Sequence, residues 1–336
     1  MVRVLVAGLI AMLISIVLGP KFIAFLRRNE FGQHIREEGP AGHVAKQGTP
    51  VMGGLLMIVT ASVAFLAFSK YKVPALTVLF VTIACGAIGF VDDFIKLTHR
   101  RSLGLSGRWK LVLLARVAIS VGIAARHQHL PTSVYIPVVE WNLELSYAWY
   151  GLVFLVIAGA ANGVNLTDGL DGLAAGTGII ALFAFAAINV TAWIRSGSPG
   201  HRVDTKLDLA IMGAALIGAA IGFLWYNAFP ADVFMGDTGA MALGGALAGF
   251  AIMTKTIFLL LLIGGIFALE ALSVIIQVFC FKYMGGRRPF LMTPIHHHFE
   301  MKAWSETKIM VRFWILTGIL CAAAFALYYR YFPGFT

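Results

Sequence analysis

Asp92 and Asp93 stand side by side at the end of an apolar run, with Lys96 four positions after the first. Paired carboxylates with a cation one helical turn away suit a site for a divalent cation and a phosphate. Hard, octahedral Mg²⁺ takes carboxylate, water and phosphate oxygens, and the ammonium neutralises the pair or meets a phosphate. On a helix end the two aspartates point about 100° apart, so they do not share one job; an acidic helix end facing water is the plainer reading. Asn165, Asp168 and Asp171 recur at every third position, but Gly169 and Gly172 argue for a tight loop entering the next apolar run. Asn165 offers a neutral oxygen to a metal or a sugar, or the group is only cap and turn chemistry. Asp237, in Gly236-Asp237-Thr238-Gly239, is either a further acidic ligand or the N-cap of the run it opens. Upstream lie Trp225, Tyr226, Asn227 and Phe234. A ring beside an amide is what a nucleobase needs; an interfacial aromatic belt is the other reading.

His296, His297 and His298 invite a zinc reading, which the pattern disfavours: adjacent residues diverge, and neither H-E-x-x-H nor a cysteine set accompanies them. Imidazoles donating to phosphate oxygens, with Arg287 and Arg288 nearby, fit better. Glu270 sits mid-run, as a partner between helices or as part of the site. Ionisable groups at the edge of hydrocarbon are costly without partners, so five of the chain's sixteen acids gathered at apolar ends mark a functional site.

The elements that must carry these residues follow from composition. The chain of 336 residues is 59% hydrophobic and 12% charged, with mean hydropathy +0.84, whereas soluble domains are about a quarter charged. That predicts an all-α polytopic membrane protein, a single domain over 1–336. The apolar runs are about 17–25 residues long, as helices need, not alternating strands of about ten. About ten spans are expected, at 4–26, 51–69, 74–91, 110–126, 147–163, 172–194, 208–226, 238–254, 256–281 and 309–331. A small exterior β-hairpin is expected within 127–147. The first apolar segment lacks a small-x-small cleavage site and is read as a retained span. Cys85, Cys280 and Cys321 all lie inside runs and read as small buried hydrophobes.

The net charge of +10 could suggest nucleic acid, but its distribution argues for topology. The loops after the first, third and ninth spans hold 14 of the 26 basic residues, which places those loops in the cytoplasm and both termini outside. Every polar motif falls in a loop of that parity, including Lys46-Gln-Gly-Thr-Pro-Val-Met-Gly-Gly54 in the first. Convergence at one leaflet fits an enzyme at the cytoplasmic surface better than a channel, whose polar groups would line both halves of a path. Gly218-x-x-x-Gly222 and Gly245-x-x-x-Gly249 are small-residue stripes of the kind that permit helix dimerisation.

The motifs, in this order, resemble the bacterial phospho-N-acetylmuramoyl-pentapeptide transferase family of the polyprenyl-phosphate N-acetylhexosamine-1-phosphate transferase superfamily. The carrying segments are Arg36-Glu-Glu-Gly-Pro40, Gly48-Thr-Pro-Val-Met-Gly-Gly54, Asp92-Asp-Phe-Ile-Lys96, Asn165-Leu-Thr-Asp-Gly-Leu-Asp-Gly-Leu-Ala174, Phe234-Met-Gly-Asp-Thr-Gly239 and Pro294-Ile-His-His-His-Phe-Glu300. They span essentially the whole chain. The resemblance implies a ten-helix enzyme of the bacterial inner membrane, often dimeric, acting in peptidoglycan synthesis and hence in cell shape and division. It would move phospho-MurNAc-pentapeptide from UDP-MurNAc-pentapeptide onto undecaprenyl phosphate, giving lipid I and UMP, with Mg²⁺ required. It also implies roles: Asp237 as best metal ligand with Asn165 as helper, and Asp92 and Asp93 as the catalytic pair. Asn165, Asp168, Asp171, Asn227 and Phe234 would line the uridine and sugar pocket. Lys46, Lys96 and Lys110 would meet phosphates, and His296, His297 and His298 would complete the site. A sister enzyme using UDP-GlcNAc is the nearest alternative. Where the family usually reads T-P-T-M-G-G, this chain has Val51, which removes a hydroxyl worth about 0.5–1.5 kcal/mol of hydrogen bonding and puts that one contact in doubt.

Overall fold

The computed structural model describes residues 1–29, 48–99 and 103–332. The helices in chain order are α1 (Val2–Arg28), α2 (Gly54–Phe68), α3 (Val73–Thr98), α4 (Gly107–His127), α5 (Ala148–Thr167), α6 (Leu173–Arg195), α7 (Asp204–Asn227), α8 (Gly236–Met253), α9 (Ile257–Ile263), α10 (Gly265–Tyr283), α11 (Ile295–Glu300) and α12 (Glu306–Tyr331). Each expected span contains a helix, because a run surrounded by hydrocarbon must satisfy its backbone within itself. Seven of the described helices are long and apolar enough to cross a membrane: α1, α3, α5, α6, α7, α10 and α12. Strands β1 (Ser133–Ile136) and β2 (Trp141–Glu144) form the expected hairpin, paired antiparallel with Ser133 opposite Glu144.

α8 is the axis of the molecule. Every residue from Thr238 to Met253 is buried, and α3 and α5 pack along it. Glycines of the helices packed on it let backbones meet: a Cβ on Gly54 of α2 would strike Gly239, and one on Gly89 of α3 would strike the Asp237 carbonyl. The two small-residue stripes serve the same purpose inside one chain. Gly218 lies on the Gly8 carbonyl of α1 and Gly222 on Ser15 and Met12, while Gly245 faces Cys85 and Gly249 faces Val78 of α3. They build the α1–α7 and α3–α8 contacts and do not form an outward dimer face.

The run expected at 256–281 is not one helix. It breaks between α9 and α10 at Gly264-Gly265, where two residues without side chains raise the cost of continuing a helix and the Leu320 side chain crowds Gly265. The cysteines are free thiols, Cys85 and Cys321 buried.

Candidate active site

Three helices bring the charges together. Asp92, Asp93 and Lys96 lie near the end of α3, Lys110 in the first turn of α4, and Asp237 in the first turn of α8. Lys96 Nζ is 2.6 Å from Asp92 Oδ2 and 3.0 Å from Asp237 Oδ1, and Lys110 Nζ is 3.1 Å from Asp92 Oδ1 and 2.7 Å from Asp237 Oδ2. Two ammonium groups thus bridge the same two carboxylates. The side chains of Asp92 and Asp93 are only 1% and 3% exposed, and such burial is tolerable only with this pairing.

Lys96 also lies 3.9 Å from Asp93 Oδ1, but the hydrogen-bond partners of the two adjacent aspartates are separate, as their divergence on a helix requires. Asp93 accepts hydrogen bonds from the backbone N–H groups of Asp237 and Thr238 and from the Thr238 hydroxyl, at 3.2, 2.9 and 2.7 Å. A carboxylate of α3 therefore caps the N-terminus of α8, where the helix dipole favours negative charge. Asp92 also accepts the Leu105 N–H at 2.6 Å. The turn at 103–105 closes over it because Gly104 has no Cβ to strike the Asp92 carboxylate. Thr238, Gly104 and Leu105 escaped the sequence reading. Thr238 lay within a motif already noted, whereas nothing in the sequence marks Leu105. Oxygens of Asp92, Asp93 and Asp237 lie within 4.8 Å of one another, an all-oxygen set that could hold a metal ion and that matches Mg²⁺ chemistry.

The second group forms the floor. Asn165 lies in the last turn of α5 and Asp168 is its C-cap. Burial holds the Asp168 carboxyl well above the usual carboxylate range; the charges of Asp237 and Asp93 add to this, and the Gly236 N–H opposes it. Asp171 Oδ2 accepts the Ala231 N–H at 3.1 Å. Gly172, at φ +74°, starts α6 from a left-handed conformation that glycine adopts freely. Asn227 is 2% exposed and bonds backbone at both ends of its amide: Oδ1 accepts the Gly172 N–H at 3.1 Å and Nδ2 donates to the Val233 carbonyl at 2.9 Å. It staples the loop ahead of α6 to the one ahead of α8. Phe234 is partly buried, and its backbone pairs with Pro50 and Gly53 at 2.8 and 2.9 Å, which brings the Val51 segment against the Gly236 turn. Of the other aromatics, Tyr226 donates to the Ile16 carbonyl of α1 and Trp225 is 70% exposed.

The three histidines face three ways. His296 is buried and 3.0 Å from Glu270, His297 pairs with Glu300, and His298 Nδ1 accepts the Leu291 N–H at 3.1 Å. Gln277 holds Phe290 by both its backbone N–H and its carbonyl and so anchors the loop leading to α11. Arg288 lies over the Phe281 ring. Lys46 falls outside the described residues.

Residues 75–255 match the profile of glycosyl transferase family 4. A relative from Halalkalibacterium halodurans named phospho-N-acetylmuramoyl-pentapeptide-transferase is 47% identical over 325 residues, covering 95% of this chain and 96% of its own. Relatives of the same name from Rubrobacter xylanophilus and Frankia alni are each 44% identical, over 98% of both chains.

Proposed function

The chain belongs to the phospho-N-acetylmuramoyl-pentapeptide-transferases, and from that premise we propose that it transfers phospho-MurNAc-pentapeptide from UDP-MurNAc-pentapeptide to undecaprenyl phosphate. The products are lipid I and UMP. One observation supports this reading above the others: Lys96 and Lys110 both bridge Asp92 and Asp237, so three helices converge on a buried set of charges. Phosphoryl-group transfer depends on positioning and charge neutralisation, and such a set supplies both. The chain lies in the bacterial cytoplasmic membrane with the site toward the cytoplasm, as its basic loops indicate.

Asp237 would hold Mg²⁺, with Asp92 beside it and Asn165 as helper; when bound, the ion neutralises diphosphate charge. Lys96 and Lys110 meet the diphosphate oxygens. Asp92 orients the lipid phosphate, which is already largely ionised near neutral pH because its second pKa lies near 6. The lipid phosphate oxygen attacks the β-phosphorus, the bond from that phosphorus to the bridging oxygen breaks, and UMP leaves. Asp93 keeps its place under α8. Both Asp92 oxygens lie within ion-pair distance of an ammonium group, which holds the carboxylate's charge in place rather than freeing it to attack phosphorus, and Asp93 is taken up by the α8 terminus. Direct attack is therefore favoured over an aspartyl-phosphate.

The test is UMP release from purified protein with undecaprenyl phosphate and either UDP-MurNAc-pentapeptide or UDP-GlcNAc. Turnover with the muramoyl donor alone is expected. Turnover with UDP-GlcNAc alone would move the chain to the sister activity, and radiolabelled phosphate retained on Asp92 would overturn the direct route.

A further inference from the structure

Glu270 and His296 are both fully buried. His296 Nδ1 and Glu270 Oε1 lie 3.0 Å apart, while His296 Nε2 and Glu270 Oε2 have no hydrogen-bond partner. Burying two polar side chains costs free energy that a hydrophobic pair would not, so their presence calls for a purpose beyond packing. They sit in a small apolar cluster separate from the main core, made by Leu170, Leu173, Ile266, Ile295, Ile309 and Phe313. That cluster gathers the Asn165–Asp171 loop, the start of α6, α10, α11 and α12 around one polar pair.

The direction of the imidazole matters. Its Nε2 edge fills the space that a Cβ on residue 169 would take, and residue 169 is a glycine. His296 therefore presses on the loop between Asp168 and Asp171. On its other side the same loop is held by Asn227 and by the Ala231 N–H. The loop is clamped between two supports, and the His296 side depends on Glu270 to keep the ring in place.

We propose that Glu270 is a positioning residue for the transfer: through His296 it braces the loop carrying Asp168 and Asp171 and so shapes the donor pocket. This rests on the transferase reading. It also gives His296 a supporting role distinct from those of its two neighbours, which have their own partners.

The test compares Glu270→Ala, Glu270→Gln and Gly169→Ala with the wild-type protein in lipid nanodiscs. Glu270→Ala removes the acceptor of the Nδ1 hydrogen, whereas Glu270→Gln keeps an oxygen there. Gly169→Ala disturbs the contact from the loop side and leaves Glu270 untouched. The KM for UDP-MurNAc-pentapeptide should rise about tenfold in Glu270→Ala and Gly169→Ala, the change expected for one buried hydrogen bond loosened. The KM for undecaprenyl phosphate should stay within about twofold, and Glu270→Gln should resemble wild type. Backbone hydrogen exchange over 165–172 should accelerate in the same two variants, a readout that needs no substrate. A donor KM unchanged in Glu270→Ala, with only the folded fraction reduced, would overturn the proposal, as would unchanged exchange over 165–172. If the wild-type protein does not turn over this donor, the transferase reading fails, and the exchange measurement still decides whether Glu270 braces the loop.

Discussion

Asp168 ties the packing of the site to pH. Its carboxyl is held well above the usual carboxylate range by burial, reinforced by the charges of Asp237 and Asp93. In the unfolded chain it ionises near the ordinary value, so between that value and the raised one the folded state binds more protons. Stability then falls as pH rises through that window and is greatest below it. Asp168→Asn removes the penalty, so its Tm should exceed that of wild type by more at about pH 8 than at about pH 5. A Tm difference independent of pH would contradict this. Asn227 makes a different prediction. Removing its amide leaves the Gly172 N–H and the Val233 carbonyl without partners, at about 1–3 kcal/mol for each buried group left unpaired. Asn227→Ala should lower Tm and weaken donor binding together, because the two loops it joins would separate. Residue types and spacing revealed which side chains belong together, but not the work each does. Asn227 was legible as a polar neighbour of the aromatics but not as a staple between two loops; the divergence of Asp92 and Asp93 was legible, but not that Asp93 caps a helix 144 residues away.

At the scale of elements, the apolar runs were legible because hydrocarbon thickness sets helix length and leaves the backbone no other way to satisfy itself. The breaks were less so. Gly264-Gly265 ends α9 within a run of unbroken hydrophobicity, and the Leu320 side chain against Gly265 shows why residue 265 has no room for a side chain. The small-residue stripes on α7 and α8 carried a true signal of close helix approach, but a sequence cannot say whether the partner helix belongs to the same chain. α8 makes the sharpest packing test. Gly89→Ala places a methyl against the Asp237 carbonyl and pushes α3 from α8, so it should cost about 1–3 kcal/mol and reduce activity. Gly159→Ala on α5 meets nothing within 4 Å and should be neutral or stabilising by about 0.5–1 kcal/mol. Thermal unfolding of the two variants side by side checks both, and equal losses would contradict the close-approach account.

For the whole molecule, the long-range arrangement links topology to chemistry. The helix ends that carry Asp92, Asp168 and Asp237 meet at one end of the bundle; the proposal puts that end in the cytoplasm and the β1–β2 hairpin outside. Val139 in the hairpin is 65% exposed. Val139→Cys should react with a membrane-impermeant maleimide in intact cells, and Arg288→Cys only after permeabilisation; the reverse pattern would invert the topology. Neither result depends on whether two copies associate. The account stands most directly on the carboxylates that Lys96 and Lys110 share. The measurement to make is Mg²⁺-dependent UMP release from UDP-MurNAc-pentapeptide with undecaprenyl phosphate, comparing wild type with Asp237→Asn and Asp92→Asn in folded protein. The account predicts Mg²⁺-dependent turnover that falls by about a hundredfold or more in both variants, the scale of losing one preorganised charge at a reacting centre. Near-wild-type turnover in either variant, or release indifferent to Mg²⁺, would contradict it.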